Sequence, residues 1–93
     1  MIVGICELEL YLYHPNSLKE KRKVIRSIID RLQHRYNISI AEVGNNDKWQ
    51  IATIGFATVS NNKKMVDETM NKVIRFIDEN TELEIINIHR EIS

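Results

Sequence analysis

Apolar and polar positions alternate along the first part of the chain. One parity is almost entirely apolar and consists of Ile2, Gly4, Cys6, Leu8, Leu10 and Leu12. The other parity is mixed and consists of Val3, Ile5, Glu7, Glu9, Tyr11 and Tyr13. A period of two is the repeat of a β-strand with one buried face. Residues 2–13 are therefore predicted to form a long strand, in which Cys6 is a small core residue rather than a nucleophile.

The period changes to three and four in residues 17–36, which is typical of an amphipathic helix. The apolar stripe of this helix consists of Leu18, Ile25, Ile28, Ile29, Leu32 and Tyr36. Ser17 and Glu20 have the spacing of a capping box, in which the two side chains satisfy free backbone N–H groups at the helix start. The pattern predicts a helix that begins directly after Ser17.

The rest of the chain supplies four more elements. Residues 38–43 and 49–59 are rich in β-forming side chains and flank turn residues, so they predict a hairpin with a loop of about five residues. A cap at Asn62 and a helical repeat predict a second helix to about residue 79, and residues 83–92 predict a fourth strand. The order βαββαβ indicates a ferredoxin-like α+β sandwich with a four-stranded antiparallel sheet, strand order 4-1-3-2, and both helices on one face. All 93 residues are expected to form this single domain.

Composition narrows the class of protein. Hydrophobic residues make up 43% of the chain and there is one proline, which favours an ordered chain over a disordered one. No apolar segment approaches the roughly 20 residues of a membrane span, and the N-terminus lacks the pattern of a signal peptide. The single cysteine excludes an intramolecular disulfide, as is usual for proteins of reducing compartments. We therefore expect a cytoplasmic protein without a membrane partner.

Positive charge is concentrated in the first helix. The whole chain carries 13 Lys or Arg and 13 Asp or Glu, but residues 17–36 contain seven Lys or Arg and two acids, a net charge of +5. The cations that we expect to form a binding surface are Lys19, Lys21, Arg22, Lys23 and Arg26. They fit either a solvated helix face or a contact for the phosphates of RNA, free or in the ribosome. Cations in the first turns oppose the helix dipole, which counts against a purely structural role.

One face of the predicted sheet is not covered by a helix. On the first strand this face carries Val3, Ile5, Tyr11 and Tyr13 around two glutamates. Apolar surface of this kind is typical of interfaces, so a homodimer is expected to bury it. The glutamates would repel phosphates, so any nucleic acid should bind the helix rather than the sheet.

A third candidate surface lies where the first strand, the first helix and the hairpin are expected to meet. It includes His14, Glu42 and Trp49. Strand parity directs Glu42 to the helix-covered side, near Lys21 or Arg22, so an ion pair is favoured over acid–base catalysis. Trp49 fits a buried local anchor better than a stacking platform for a ligand.

Motifs for catalysis, metals and cofactors are absent from the sequence. The three histidines are isolated from one another, and the three glycines do not form a nucleotide-binding pattern. No Ser-His-Asp or Cys-His pair has a defensible spacing. We expect a non-enzymatic protein with no catalytic, metal-binding or cofactor-binding residues, and a small enzyme at the His14–Glu42–Trp49 edge is the remaining alternative.

Four segments resemble a known family: HPNSLKEKR (14–22), ISIAEV (38–43), NDKWQ (46–50) and GFATVSN (55–61). They are similar to the YlxP-like family of bacterial proteins, a domain of unknown function, and the resemblance runs essentially end to end. It implies a small ferredoxin-like fold and assigns no activity, substrate or cofactor. Genes of this family often lie beside those for translation-initiation and ribosome-maturation factors, so the resemblance implies a role linked to RNA.

Overall fold

The computed structural model describes all 93 residues, which form four strands and two helices. In chain order these are β1 (Ile2–Leu12), α1 (Leu18–Arg35), β2 (Ser39–Gly44), β3 (Ile51–Ser60), α2 (Lys63–Asp78) and β4 (Leu83–Ile92). The strands form one antiparallel sheet in the order β2-β3-β1-β4. This is the predicted order read from the opposite edge, so the ferredoxin-like prediction is confirmed.

β1 lies at the centre of the sheet because it pairs with both β3 and β4. Its predicted alternation is confirmed, since Cys6, Leu8, Leu10 and Leu12 are all buried. They belong to a core of 16 hydrophobic residues to which all six elements contribute. Because the buried positions of both helices share this core with one parity of β1, both helices cover the same face of the sheet.

Both helices begin at the predicted caps. Ser17 Oγ accepts a hydrogen bond from Glu20 N at 3.2 Å, and the Glu20 carboxylate accepts one from Asn16 N at 2.6 Å. The returning bond of this capping box therefore reaches one residue further back than the usual pattern. At the start of α2 the Asn62 side chain accepts from the N–H groups of residues 64 and 65. Neither helix combines the length and the apolar content that crossing a membrane requires.

The hairpin differs from the prediction in its loop. β3 begins at Ile51, so residues 45–50 form a loop and Trp49 lies in it rather than in a strand. The β2–β3 pairing shifts register between Glu42 and Gly44, and Asn45 adopts a φ of 57°. A residue in the left-handed region of φ cannot continue an extended strand, so β2 ends before Asn45. Trp49, although a β-forming residue, therefore lies outside the β2–β3 ladder.

Gly4 allows α2 to pack closely on β1. A Cβ atom at this position would lie 2.5 Å from Met70 Sδ and 2.5 Å from a methyl carbon of Val66. Both distances are far shorter than van der Waals contact, so a larger residue fits only if the helix or its side chains move.

We expect Gly4→Ala to lower the free energy of unfolding by about 1–3 kcal/mol, because an extra methyl group overpacks the contact between β1 and α2. Urea denaturation followed by circular dichroism measures this change. Gly55→Ala is the control, since its new methyl would lie 3.2 Å from the methyl groups of Val43, a side chain that is 52% exposed and free to move. Equal losses for the two variants would contradict this account of Gly4.

Candidate functional site

Lys21 is fully buried, unlike the other cations of α1. It lies on the buried stripe of the helix, in line with Ile25, Ile28 and Leu32. A lysine in this position is stable only if its ammonium group finds partners inside the protein. Its expected place in an exposed binding surface is therefore wrong, and Lys21 is a structural residue.

Three oxygen atoms surround the Lys21 ammonium group. Nζ donates hydrogen bonds to the backbone carbonyl oxygens of Asn45, at 2.7 Å, and Lys48. It also lies 2.9 Å from Oε2 of Glu42, whose side chain is 15% exposed. These contacts join the first turn of α1 to β2 and to the start and middle of the hairpin loop, so the loop is held through its backbone.

The contact between Lys21 and Glu42 is the predicted ion pair between helix and hairpin. Glu42 Oε2 has no hydrogen bond of favourable geometry, although Nζ lies within ion-pair distance. We therefore regard the contact as mainly Coulombic, with the two carbonyl oxygens taking the directed bonds of the ammonium group. This arrangement confirms that strand parity directs Glu42 to the helix-covered side of the sheet.

The remaining cations of α1 form the outer surface of the helix layer. They are all exposed and comprise Lys19, Arg22, Lys23, Arg26, Arg31 and Arg35. None of them has a carboxylate oxygen within 4.0 Å. The Lys and Arg side chains that do have one are Lys21, beside Glu42, and Arg90, beside Asp67. These six positive charges are therefore not paired with carboxylates of the protein itself.

The uncovered face of the sheet has the opposite charge. β1, β2 and β3 contain no Lys or Arg, and the one cation of β4, Arg90, pairs with Asp67 of α2 on the helix-covered side at 2.7 Å. Glu7 and Glu9 lie on the uncovered face, as predicted, with Glu91 beside them on β4. The two faces of the molecule thus carry charges of opposite sign.

The predicted dimer face is partly exposed and partly engaged within the chain. Ile5 is 46% exposed and lines a shallow cavity of about 520 Å³ above Gly55, whereas Val3 is half-buried. Tyr11 lies further along β1 and Tyr13 just beyond its end, with their ring centroids 5.5 Å apart in an edge-to-face contact.

Tyr13 also contacts β4. Its hydroxyl donates a hydrogen bond to the carboxylate of Glu84 at 3.3 Å, and partial burial together with that carboxylate raises the pKa of the phenol. The tyrosine end of the face is therefore fixed by contacts within one chain, while the Ile5 end is free.

The elements of the predicted His14–Glu42–Trp49 edge lie together, but the three side chains line none of the main surface cavities. Leu12 N donates to Gln50 O at 2.8 Å, which confirms that the end of β1 and the hairpin loop lie side by side. However, the Glu42 carboxylate is bound to the ammonium group of Lys21, and none of the five main surface cavities is lined by any of the three residues. Trp49 is 44% exposed, so its expected role as a buried anchor is wrong.

Cys6 is a core residue, as predicted. It is 3% exposed, and burial raises the pKa of its thiol, an effect that the positive charge of Arg90 opposes and the negative charge of Glu7 reinforces. A raised pKa leaves less of the nucleophilic thiolate at neutral pH.

No three His, Cys, Asp or Glu side chains converge in a geometry that suits a metal ion.

A further cationic group was missed at the sequence level. We call it the helix-seam cluster, and it consists of Arg31, Arg35 and Tyr36 near the end of α1 with Lys72, Arg75 and Phe76 of α2. A cavity of about 280 Å³ lies among five of these residues and Glu79. The spacings of four between the α1 arginines and three between the α2 cations are visible in the sequence, but the meeting of the two helices is not.

We expect Lys21→Met to lower the free energy of unfolding by about 3 kcal/mol, because it leaves the Glu42 carboxylate and two loop carbonyls without their partner. Urea denaturation measures the loss. Lys19→Met is the matched control on the same helix, and as an exposed, unpaired lysine it should change stability by less than about 0.5 kcal/mol. A change of that small size for Lys21→Met would show that the buried ammonium group is not required.

Comparison with known proteins supports the family resemblance. A family model described as "Protein of unknown function (DUF503)" matches residues 3–90. The chain is also similar to the uncharacterized protein YlxP of Bacillus subtilis (strain 168), with 39% identity over 83 residues that cover 89% of this chain and 90% of that protein. The family model spans both partners of the buried ion pair and all six elements of the fold. The chain therefore belongs to the DUF503 family.

Proposed function

We propose that the protein is a non-enzymatic cytoplasmic module that binds RNA, free or within the ribosome, through the outer face of α1. The observation that carries this proposal is the set of exposed cations in the first half of that helix. Lys19, Arg22, Lys23 and Arg26 lie within eight consecutive residues, and none has a carboxylate oxygen within 4.0 Å.

Unpaired cations on one helix repel one another, and a polyanion relieves that repulsion. Lys19, Arg22 and Lys23 lie in the first two turns of α1, where the helix dipole adds to the positive potential. Release of counterions from the phosphates then supplies most of the free energy of binding, without any requirement for a particular base sequence.

The charge distribution also selects the face that meets RNA. Proteins that read RNA on a sheet use exposed aromatic side chains and cations on the central strands. The central strand here presents Glu7 and Glu9 beside Tyr11, and the uncovered face has no Lys or Arg. RNA is therefore expected to approach the helix layer, with the acidic sheet turned away from it.

We expect single-stranded RNA to bind at low salt and to weaken as salt rises, and Arg22→Glu with Arg26→Glu to weaken it further. Loss of two phosphate contacts should reduce the slope of log K against log salt by about 1.4, because each contact to a single strand contributes about 0.7. Fluorescence anisotropy with a labelled oligonucleotide measures both quantities.

The control for net charge is Lys63→Glu with Lys64→Glu, which makes the same change of charge at the exposed start of α2. Binding that is absent at low salt would remove the proposal. Equal weakening by the two double variants would show that only the net charge of the protein matters.

A second candidate function is a homodimeric interaction module that uses the uncovered sheet face. Its support is the apolar surface around the shallow cavity, where Ile5, Val43 and Val59 are 46%, 52% and 46% exposed. A stable interface buries about 800 Å² on each partner, which requires a patch wider than these three side chains alone. The neighbouring small residues Ala41, Gly55 and Ala57 widen it, because they leave the sheet backbone open to close approach.

If this face forms a dimer, Ile5→Asp should convert the protein from dimer to monomer at a protein concentration of roughly tens of micromolar, which is about the dissociation constant of a modest interface. Sedimentation equilibrium measures the change in mass. Ile86→Asp is the control, since Ile86 is also 46% exposed but lines a cavity beside α2 rather than the one on the sheet. A wild-type monomer at that concentration would rule out the dimer.

A further inference from the structure

The helix-seam cluster holds two arginine side chains against aromatic rings. The guanidinium carbon of Arg31 lies 5.8 Å from the centroid of the Phe76 ring, and that of Arg35 lies 5.7 Å from the same centroid. Arg35 is also 5.9 Å from the centroid of the Tyr36 ring. Contacts of this length are cation–π interactions, which restrict two side chains that would otherwise move freely in solvent.

Hydrogen bonds restrict one of these arginines further. Arg31 Nη2 donates to Ser27 Oγ at 3.0 Å, and Arg31 Nε donates to the Ser27 carbonyl oxygen. Neither Arg31 nor Arg35 has a carboxylate oxygen within 4.0 Å, although Glu79 lines the same cavity as Arg35. The two guanidinium groups are thus positioned but not neutralised.

The stability of the helices does not account for this arrangement. A cation near the end of a helix interacts favourably with the helix dipole, which explains Arg35 in α1 and Arg75 in α2 taken separately. It does not offset the repulsion between the charges of the two helices, to which Lys72 adds. An anionic ligand bound between the helices would remove that repulsion.

We infer that the helix-seam cluster is a second binding site for single-stranded RNA, at the opposite end of α1 from the cations at its start. This inference rests on the proposed function and extends it to a particular form of RNA. The four cations contact backbone phosphates, and the guanidinium planes held over Phe76 and Tyr36 offer flat surfaces on which unpaired bases stack.

The separation of the two sites defines the length of RNA that uses both. Arg22 and Arg35 are 13 residues apart on α1, which is about 20 Å along the helix axis at a rise of about 1.5 Å per residue. A dinucleotide engages one site, whereas a 12-nucleotide strand reaches across both. The salt dependence of binding should therefore be steeper for the longer strand.

The test compares binding of a 12-nucleotide oligo(U) strand to the wild type and to Arg31→Gln with Arg35→Gln. At 0.1 M salt we expect the double variant to bind about 25-fold more weakly. The binding constant varies with the salt concentration to a power of about −0.7 for each phosphate contact, so the loss of two contacts changes it by about 10 to the power 1.4 at this concentration. Lys63→Gln with Lys64→Gln removes the same charge from the start of α2 and should have a smaller effect. Circular dichroism of each variant verifies that the helices are retained.

A charge-conserving variant separates stacking from charge. Arg31→Lys with Arg35→Lys keeps both positive charges but has no planar group to stack on a base. It should keep the salt dependence of the wild type and lose affinity for oligo(U), while binding of a 12-base-pair RNA duplex should be unchanged. Equal weakening for strand and duplex would overturn the assignment to single-stranded RNA.

The outcomes also separate this inference from the proposed function. If Arg22→Glu with Arg26→Glu weakens binding while Arg31→Gln with Arg35→Gln does not, the first site stands and the second is refuted. If only the seam variant weakens binding, the second site stands and the assignment to the start of α1 is wrong. A wild type that binds no oligo(U) at low salt refutes both.

Discussion

The buried ammonium group of Lys21 is the contact on which the candidate surfaces depend. It binds two backbone carbonyl oxygens of the hairpin loop and faces the Glu42 carboxylate, so it joins α1 to β2 and to the loop at once. A charge inside a protein is tolerated only when such partners surround it. The orientation of α1 on the sheet is therefore coupled to this site, and with it the direction in which the outer cations of the helix point.

Once α1 is placed, the charges of the chain separate onto two faces. The central strand alternates leucine inward with glutamate outward, which puts acids on the uncovered face because successive side chains of a strand point to opposite sides. The helix turns its apolar stripe to the same leucines and, with the exception of Lys21, leaves its lysines and arginines in solvent. A chain with no net charge therefore presents a cationic layer and an anionic layer.

The two candidate sites on the helix layer differ in how their cations are held. Those in the first half of α1, apart from Lys21, are exposed side chains with no carboxylate oxygen within 4.0 Å. Arg31 and Arg35 instead rest on Phe76 and are partly fixed before any ligand binds. Preorganised side chains lose less entropy on binding, so the helix seam is better suited to a defined contact and the start of α1 to a general one.

The sequence by itself determined the order of the elements and the core parity of β1, because the periods of two and three to four are local consequences of backbone geometry. The strand order then followed from the element order and the right-handed rule for crossovers. It also determined the cap of α1 and the ion pair of Glu42, which follow from spacing and from the need of a buried carboxylate for a cation. The burial of Lys21 could also be predicted from the sequence, since that residue lies in line with Ile25, Ile28 and Leu32. A lysine was nevertheless assigned to the surface because burial of a charge depends on partners distant in sequence.

Only the tertiary structure decided the rest. Trp49 lies in a loop because Asn45 turns the chain and Lys21 holds the loop carbonyls, and neither effect is encoded in the β-propensity of the segment. The helix seam exists because α1 and α2 pack side by side on one sheet, which brings Arg35 to Phe76 across 41 residues of chain. Contacts between elements depend on how their faces pack against a shared core. Periodicity within one element shows which of its faces is buried, but not which side chains of another element lie against that face.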